Sequence, residues 1–336
     1  MKKKKSKKII AIVCIMLSVI ILTLVSVVSI TSKVTALVTK QMFEKQILTK
    51  PTDYEDYSKK VKSFKDLSYE SRYKNNNYDV YIPKDMNEKL YPAIIWVHGG
   101  AYVEGDKKYT ETFSTMLASQ GFVVLSINYE LLPEAKYPTP IKQVEEFYNH
   151  IINVKSEYSI DESKLFFAGD SAGAQIAGQF IAIQTNKDLA RDMEMKQVIP
   201  LKSIKGTLLY CGPYDINLLN DTEGNYLFKF LLNQSTWNYI GGRNLKDSKE
   251  AREFSVVDNI TEDFPPSFIT DGNTNSFENH ARELIKTLKE KNVEVEELFF
   301  SRDQYITEHD YQFILNTEPA NIAFNNTINF LERCLK

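Results

Sequence analysis

Cysteine and histidine are scarce in this chain. Three cysteines (Cys14, Cys211, Cys334) in 336 residues are too few and too scattered for a disulfide framework or a thiolate zinc site. Four histidines in all speak against a multi-histidine metal centre. With 13 Gly and 11 Pro there is no collagen-like or low-complexity segment. A basic surplus is missing as well. Lys and Arg number 41 and Asp and Glu 44, and six of the lysines crowd into residues 1–8, so the remaining 35 basic residues face all 44 acids. Such an acidic body lacks the footprint that nucleic acid requires. Apolar residues at 43% and charged residues at 25% are an ordinary globular balance, which excludes a disordered tail or a coiled-coil rod.

The basic cluster has its own explanation. Residues 2–8 precede Ile9–Ile30, a run of 22 residues without charge, Gly or Pro. As a helix it would be ~33 Å long, enough to cross a ~30 Å hydrocarbon core. Lysines before the run, and only Lys33 just after it, place its start on the cytoplasmic side. The expectation is a basic cytoplasmic start (1–8), a single-pass signal-anchor in the lipid bilayer (9–30) and a polar stalk (31–60). The folded domain (61–336) then lies outside the cytoplasm. The alternative is a signal peptide cleaved near Val34-Thr35-Ala36 and a secreted body, although 22 apolar residues are long for a signal.

From residue 62 onward, strand and helix patterns alternate. Ala93–Val97, Phe122–Ile127 and Leu165–Ala168 are continuous apolar runs, as expected for strands covered on both faces. Helical patterns at 109–120, 141–156, 172–184, 278–291 and 320–335 separate these and later strands at 204–210, 267–270 and 293–300. Such alternation predicts an α/β fold: a mostly parallel, twisted sheet with helices on both faces. Residues 213–258 break the rhythm and read as a cap insertion over the carboxyl ends of the strands, where α/β proteins bind ligands. Its aromatics Phe228, Phe230, Trp237 and Tyr239 could form cap core or an acyl pocket.

Gly169-Asp170-Ser171-Ala172-Gly173 lies between an apolar strand and a helix, the context that a G-x-S-x-G nucleophile elbow demands. The serine sits in a strained turn, and the glycines two residues to either side pass close to neighbouring backbone. Straight after strand Ala93–Val97 comes His98-Gly99-Gly100-Ala101-Tyr102. A Gly-Gly loop there can point backbone N–H groups at a developing oxyanion. Gly100, Ala101 and Ala172 are the expected donors, with His98 bracing the loop.

HGGAY, then INYELLPEAKYPTP at Ile127–Pro140, then GDSAG together resemble the α/β-hydrolase superfamily, specifically its hormone-sensitive-lipase-like carboxylesterases. Glu130 stands where that family usually has Arg. The resemblance covers about residues 68–335. It implies an α/β-hydrolase fold and hydrolysis of a small or polymer-linked acyl ester through an acyl-enzyme, with no metal or organic cofactor.

A serine hydroxyl needs a base, and chain order in this fold is Ser, acid, His. His98 and His150 precede Ser171, and His280 falls in a helix expected to be exposed. His309 lies in a loop before the last helix, where the family places its base. The acid should follow strand Ser267–Thr270, but the family's usual position falls on Thr274 or Asn275, which cannot ionise. Asp271 at the strand tip is the first choice, with Gly272 letting the loop turn. Glu278, Asp215 and an Asn275-oriented histidine remain open. Beside the serine carboxylesterase stand two other readings: a prolyl-oligopeptidase-type exopeptidase, and a non-catalytic binding member of the fold.

Overall fold

The computed structural model describes residues 2–30, 40, 49–85, 89–222, 224, 226–242 and 248–336. Eight strands form one sheet: β1 (Val61–Ser68), β2 (Asn77–Pro83), β3 (Tyr91–Val97), β4 (Val123–Ile127), β5 (Ile160–Asp170), β6 (Ile204–Tyr210), β7 (Ser267–Thr270) and β8 (Val295–Leu298). Their order is β1-β2-β4-β3-β5-β6-β7-β8. Strand β2 runs antiparallel to both its neighbours, β1 and β4, and all the other pairings are parallel. This is the mostly parallel sheet that the alternating pattern predicts.

The central strand shows why the apolar runs are unbroken. Ala93, Ile95 and Val97 of β3 enter one core, with helices α4 (Thr139–Val154), α5 (Ala172–Thr185) and α9 (Glu278–Glu290) over it. Ile94 and Trp96 enter the other, beneath α3 (Glu111–Ser119) and α10 (Glu318–Cys334). Successive side chains point to opposite faces, so a strand covered on both sides must be apolar throughout. The edge strand β8 can carry Glu296 and Glu297 because its side chains are only partly covered.

The stretch 31–60 divides. Residues 31–39 and 41–48 lie outside the described residues. Residues 49–60, expected as stalk, belong to the body. Thr49 bridges Ile314, the short helix α2 (Tyr54–Ser58) follows, and Tyr57 packs edge-on against Phe324 at 6.2 Å. Composition hid this because a half-buried five-residue helix needs few apolar side chains.

Helix α1 covers Lys2–Ile30. Its described apolar side chains, from Ile10 to Leu22, are all exposed, Leu22 at 65%. Among the described residues no helix is long and apolar enough to cross a membrane. The stretch of α1 with described side chains, 10–23, is shorter than the ~20 residues a span needs. In the remainder of the expected Ile9–Ile30 span only Ser26, also exposed, has a described side chain.

A buried ion network steadies the segment after the HGGAY loop. Lys107 Nζ lies 2.7 Å from Asp66 and 2.9 Å from Asp79, and the Asp79 side chain is only 2% exposed. Asp66 reaches that position through a bulge in β1, with φ 55°, and its N–H donates to Asp79 Oδ1 at 2.8 Å. Removing one partner of a buried pair leaves an uncompensated charge. Lys107→Ala should therefore cost about 3 kcal/mol, read from urea unfolding; Lys65, 3.4 Å from Asp79, offsets part of the loss.

Candidate active site

Ser171 joins β5 to α5 with φ 51° and ψ −123°, a conformation that costs a non-glycine residue roughly 1–3 kcal/mol. Its N–H donates to Tyr210 O at 2.8 Å, which pins the turn to the neighbouring strand. The flanking glycines are required by contact. A Cβ on Gly169 would stand 2.4 Å from Gly173 O, and one on Gly173 would stand 2.1 Å from Val97 O and 2.4 Å from His98 O. The turn therefore nests directly against the HGGAY loop.

That loop carries three consecutive left-handed residues: Gly100 (φ 120°), Ala101 (φ 50°) and Tyr102 (φ 64°). Such a run can gather backbone N–H groups around an anion. A Cβ on Gly99 would lie 3.0 Å from Ser171 Cβ, so the loop borders the serine. Ala172 opens α5, where N–H groups of the first turn have no partner within the helix. The loop that carries Gly100 and Ala101 and the helix start at Ala172 thus both border the serine.

His98 braces the loop, as expected. Its ring stacks on Tyr129 at 4.4 Å, its Nδ1 pairs with Gly99 O at 2.7 Å, and Tyr129 donates to His98 O at 2.8 Å. Burial pulls its pKa down to about 4. Asp170 is a second brace that motif reading passed over. It accepts from Trp96 Nε1 and from Gly99 N, each at 2.8 Å. Burial, with Asp310 nearby, pushes its carboxyl well above the usual range. Asp170→Ala would strand two buried donors at about 1–3 kcal/mol each. We expect a loss of about 2–5 kcal/mol in denaturant unfolding, with Asp170→Asn, which keeps one acceptor, intermediate.

His309 arrives from a loop stitched to the segment after β7. Asn273 accepts from Thr307 N and donates to Phe300 O and Tyr305 O. Thr274 bridges Glu308. Gly272 is needed for this approach rather than for a turn, since its Cβ would meet Glu308 O at 2.3 Å. The imidazole Nε2 lies 2.9 Å from Ser171 Oγ, and Phe277 packs edge-on to the ring at 5.4 Å. Burial brings the ring's pKa down to about 4.

The acid side holds the main surprise. Nδ1 of His309 pairs with Ser276 Oγ at 2.8 Å, and the Ser276 hydroxyl donates to Asp271 Oδ1. Asp271, the first choice, is thus joined to the histidine through Ser276. Sequence reasoning missed this residue, and its only signal was a hydroxyl in the loop whose usual acid position cannot ionise. Burial pushes Asp271 up to about 8, against hydrogen bonds from Ser276 and the Phe277 N–H, with Asp310 adding to the rise.

The other candidates go elsewhere. Asp215 caps a 3-10 turn by accepting from Asn217 N at 2.8 Å. Glu278 pairs with Arg282 at 2.5 Å. Asn275 takes a left-handed φ of 49° that turns the loop. His280 is fully buried, not exposed: its Nδ1 accepts from Asp215 N at 3.2 Å, and burial lowers its pKa to about 3. His150 meets Tyr78 OH at 3.0 Å.

The stretch 213–258, expected as a cap, holds two α-helices among its described residues, α7 (Tyr226–Ile240) and α8 (Lys249–Phe254). Tyr239 stacks flat on Tyr102, centroids 4.0 Å apart, so it ties the cap to the loop beside Ser171. Trp237 packs half-buried against the core, and the side chain of Phe228 lies outside the described residues. Among the described residues, Cys211, Asp271 and His309 bring metal-type donor atoms within 4.8 Å of one another. Two of these three belong to the hydrogen-bonded chain just described.

A serine on a strand–helix elbow, a histidine from a late loop and a carboxyl beyond the preceding strand define a member of the α/β-hydrolase superfamily. The BD-FAE family model matches residues 78–287, and the chain belongs to that family. An acetyl esterase from Salmonella schwarzengrund (strain CVM19633) is 26% identical over 223 residues, 62% of each chain. A probable isoprenylcysteine alpha-carbonyl methylesterase from Oryza sativa subsp. japonica is 27% identical over 146 residues, 44% of this chain and 34% of that protein. The chain therefore spans less than two thirds of the length of these curated relatives. Among solved structures, esterase B from Lactobacillus rhamnosis (HN001) superposes with a TM-score of 0.72 at 19% identity, covering 93% of this chain and 96% of that one. At that identity the likeness concerns the fold.

Proposed function

We propose that this protein is a serine carboxylesterase, held to a membrane by α1, that cleaves short-chain acyl esters. The observation that carries the reading is the 2.9 Å contact between Ser171 Oγ and His309 Nε2 at a strained elbow bordered by the left-handed HGGAY loop. Ser171 attacks the ester carbonyl while its proton passes to Nε2, and the N–H groups of Gly100, Ala101 and Ala172 hold the oxyanion. The imidazolium returns the proton to the departing alcohol, leaving an acyl-serine. Water then gives a proton to His309, attacks the acyl carbon and releases the acid, and Ser171 regains its proton. The names of the acetyl esterase relatives support a short acyl group.

Two observations support the anchor: the uncharged run Ile9–Ile30 behind six lysines, and apolar side chains exposed around α1. A helix apolar all round suits either a core or a bilayer. The lysines set a cytoplasmic start and an outward-facing body. The test pairs p-nitrophenyl esters of increasing acyl length with a p-nitroanilide panel on the full chain. Hydrolysis of the acetyl ester with no anilide cleavage supports the esterase. Anilide cleavage alone would make it a peptidase.

A further inference from the structure

The carboxyl of Asp271 reaches His309 only through another side chain's hydroxyl among the contacts on the imidazole Nδ1 described above. Ser276 and Asp271 are each 1% exposed, so this chain of bonds is shielded from bulk water. A hydroxyl has a single proton and can donate in one direction at a time. When it donates to an ionised Asp271, its oxygen accepts the Nδ1 proton of His309. Nε2 then turns a lone pair toward Ser171, as a base must. When Asp271 carries a proton, it donates to Ser276 Oγ, and the hydroxyl swings to donate to Nδ1. The ring proton then sits on Nε2, and Ser171 has no base. The two arrangements contain the same heavy atoms in the same places and differ by one proton taken up at Asp271 and a change of tautomer.

We propose that Ser276 is a positioning residue that sets the tautomer of His309 by the direction of its hydroxyl, and that the charge on Asp271 sets that direction. The proposal rests on the serine-hydrolase reading for its effect on rate. The titratable groups facing Asp271 are His309, Asp310 and Tyr311 from the late loop, and Cys211 and Tyr214 from the segment after β6. Asp310, the other carboxyl among them, opposes ionisation of Asp271, as does burial. Burial lowers the pKa of His309 to about 4, while Asp310 Oδ2 stands 3.4 Å from its Nε2. The sign follows: activity is lost as pH falls through the Asp271 range near 8, well above the point at which the buried ring itself takes a proton.

The test uses the full chain in detergent, as wild type, Ser276→Ala, Ser276→Thr and Asp271→Asn. Rates on p-nitrophenyl acetate are measured across pH, and the His309 tautomer is followed by ¹⁵N NMR. With four histidines in the chain, the His309 signal is assigned by its loss in His309→Gln. Wild type should show an acid limb near the Asp271 range, with the ring proton on Nδ1 above the limb and on Nε2 below it. Ser276→Ala should lower kcat about 100-fold with KM within about twofold. Ser276→Thr should recover most of kcat, and Asp271→Asn should lose the limb. A wild-type tautomer that stays the same across the limb overturns the proposal, as does a Ser276→Ala variant with an unchanged limb and kcat. If the wild type cleaves no ester and no fluorophosphonate labels Ser171, the hydrolase reading fails separately, and the NMR still decides which way the hydroxyl points.

Discussion

Ser171→Ala should lower turnover of p-nitrophenyl acetate at least about 10⁴-fold and abolish labelling by a fluorophosphonate, while the protein stays folded. The size of the effect follows from the geometry. Ser171 Oγ is the hydroxyl that the His309 Nε2 meets, at 2.9 Å, and an alanine leaves the oxyanion donors with nothing to attack the ester. What survives is the modest help of binding and backbone N–H groups toward water. Alanine also relieves no clash at φ 51°, so thermal unfolding should move little. A variant that hydrolyses the ester within tenfold of wild type, or still takes up the probe at the same site, would remove Ser171 from the reaction.

Gly173→Ala should be strongly destabilising, and Gly178→Ala, five residues further along the same helix, should be harmless. A Cβ at 173 would stand 2.1 Å from the carbonyl oxygen of Val97 and 2.4 Å from that of His98. Both are backbone atoms of the central strand and its loop, so nothing flexible can step aside. Overpacking of this kind typically costs about 1–3 kcal/mol, and contact with rigid backbone puts the expected loss at about 3 kcal/mol or more. The same displacement would push the HGGAY loop away from Ser171, so activity should fall with stability. At Gly178 the new methyl group would meet Val256 at 3.5 Å and Leu209 at 3.7 Å, which is ordinary contact. There alanine's helix preference should add up to about 1 kcal/mol. Paired urea unfolding curves decide the matter: equal effects at the two positions would show that close approach is not why the elbow needs Gly173.

Much of this arrangement was legible in the chain. Apolar runs at 93–97, 122–127 and 165–168 fall on β3, β4 and β5 because strands covered on both faces admit little else. The elbow and the glycine loop were readable because close backbone approach leaves few residue choices. Chain order singled out His309. Three matters were not legible. His280 looked exposed because a helix period does not say which stripe faces the core, and its polar ring is satisfied inside by Asp215 N and Thr222. Ser276 was invisible because a hydroxyl in a loop is ordinary, and only its distance to both Nδ1 and Asp271 makes it unusual. The body's start was set too late because residues 49–60 bind by backbone pairing and one aromatic edge rather than by a hydrophobic pattern.

That early docking has a practical and mechanical side. Thr49 pairs with Ile314 in a parallel bridge, and its hydroxyl donates to Asn316 Oδ1 at 2.9 Å and accepts from Asn316 N at 3.2 Å. The polypeptide coming from the amino-terminal helix is thus fastened a few residues downstream of the imidazole that faces Ser171. With α1 held in a membrane, as proposed, tension on the chain between would be delivered first to the segment that aims that ring. A form trimmed past Thr49 would release this clasp and loosen the segment that carries His309.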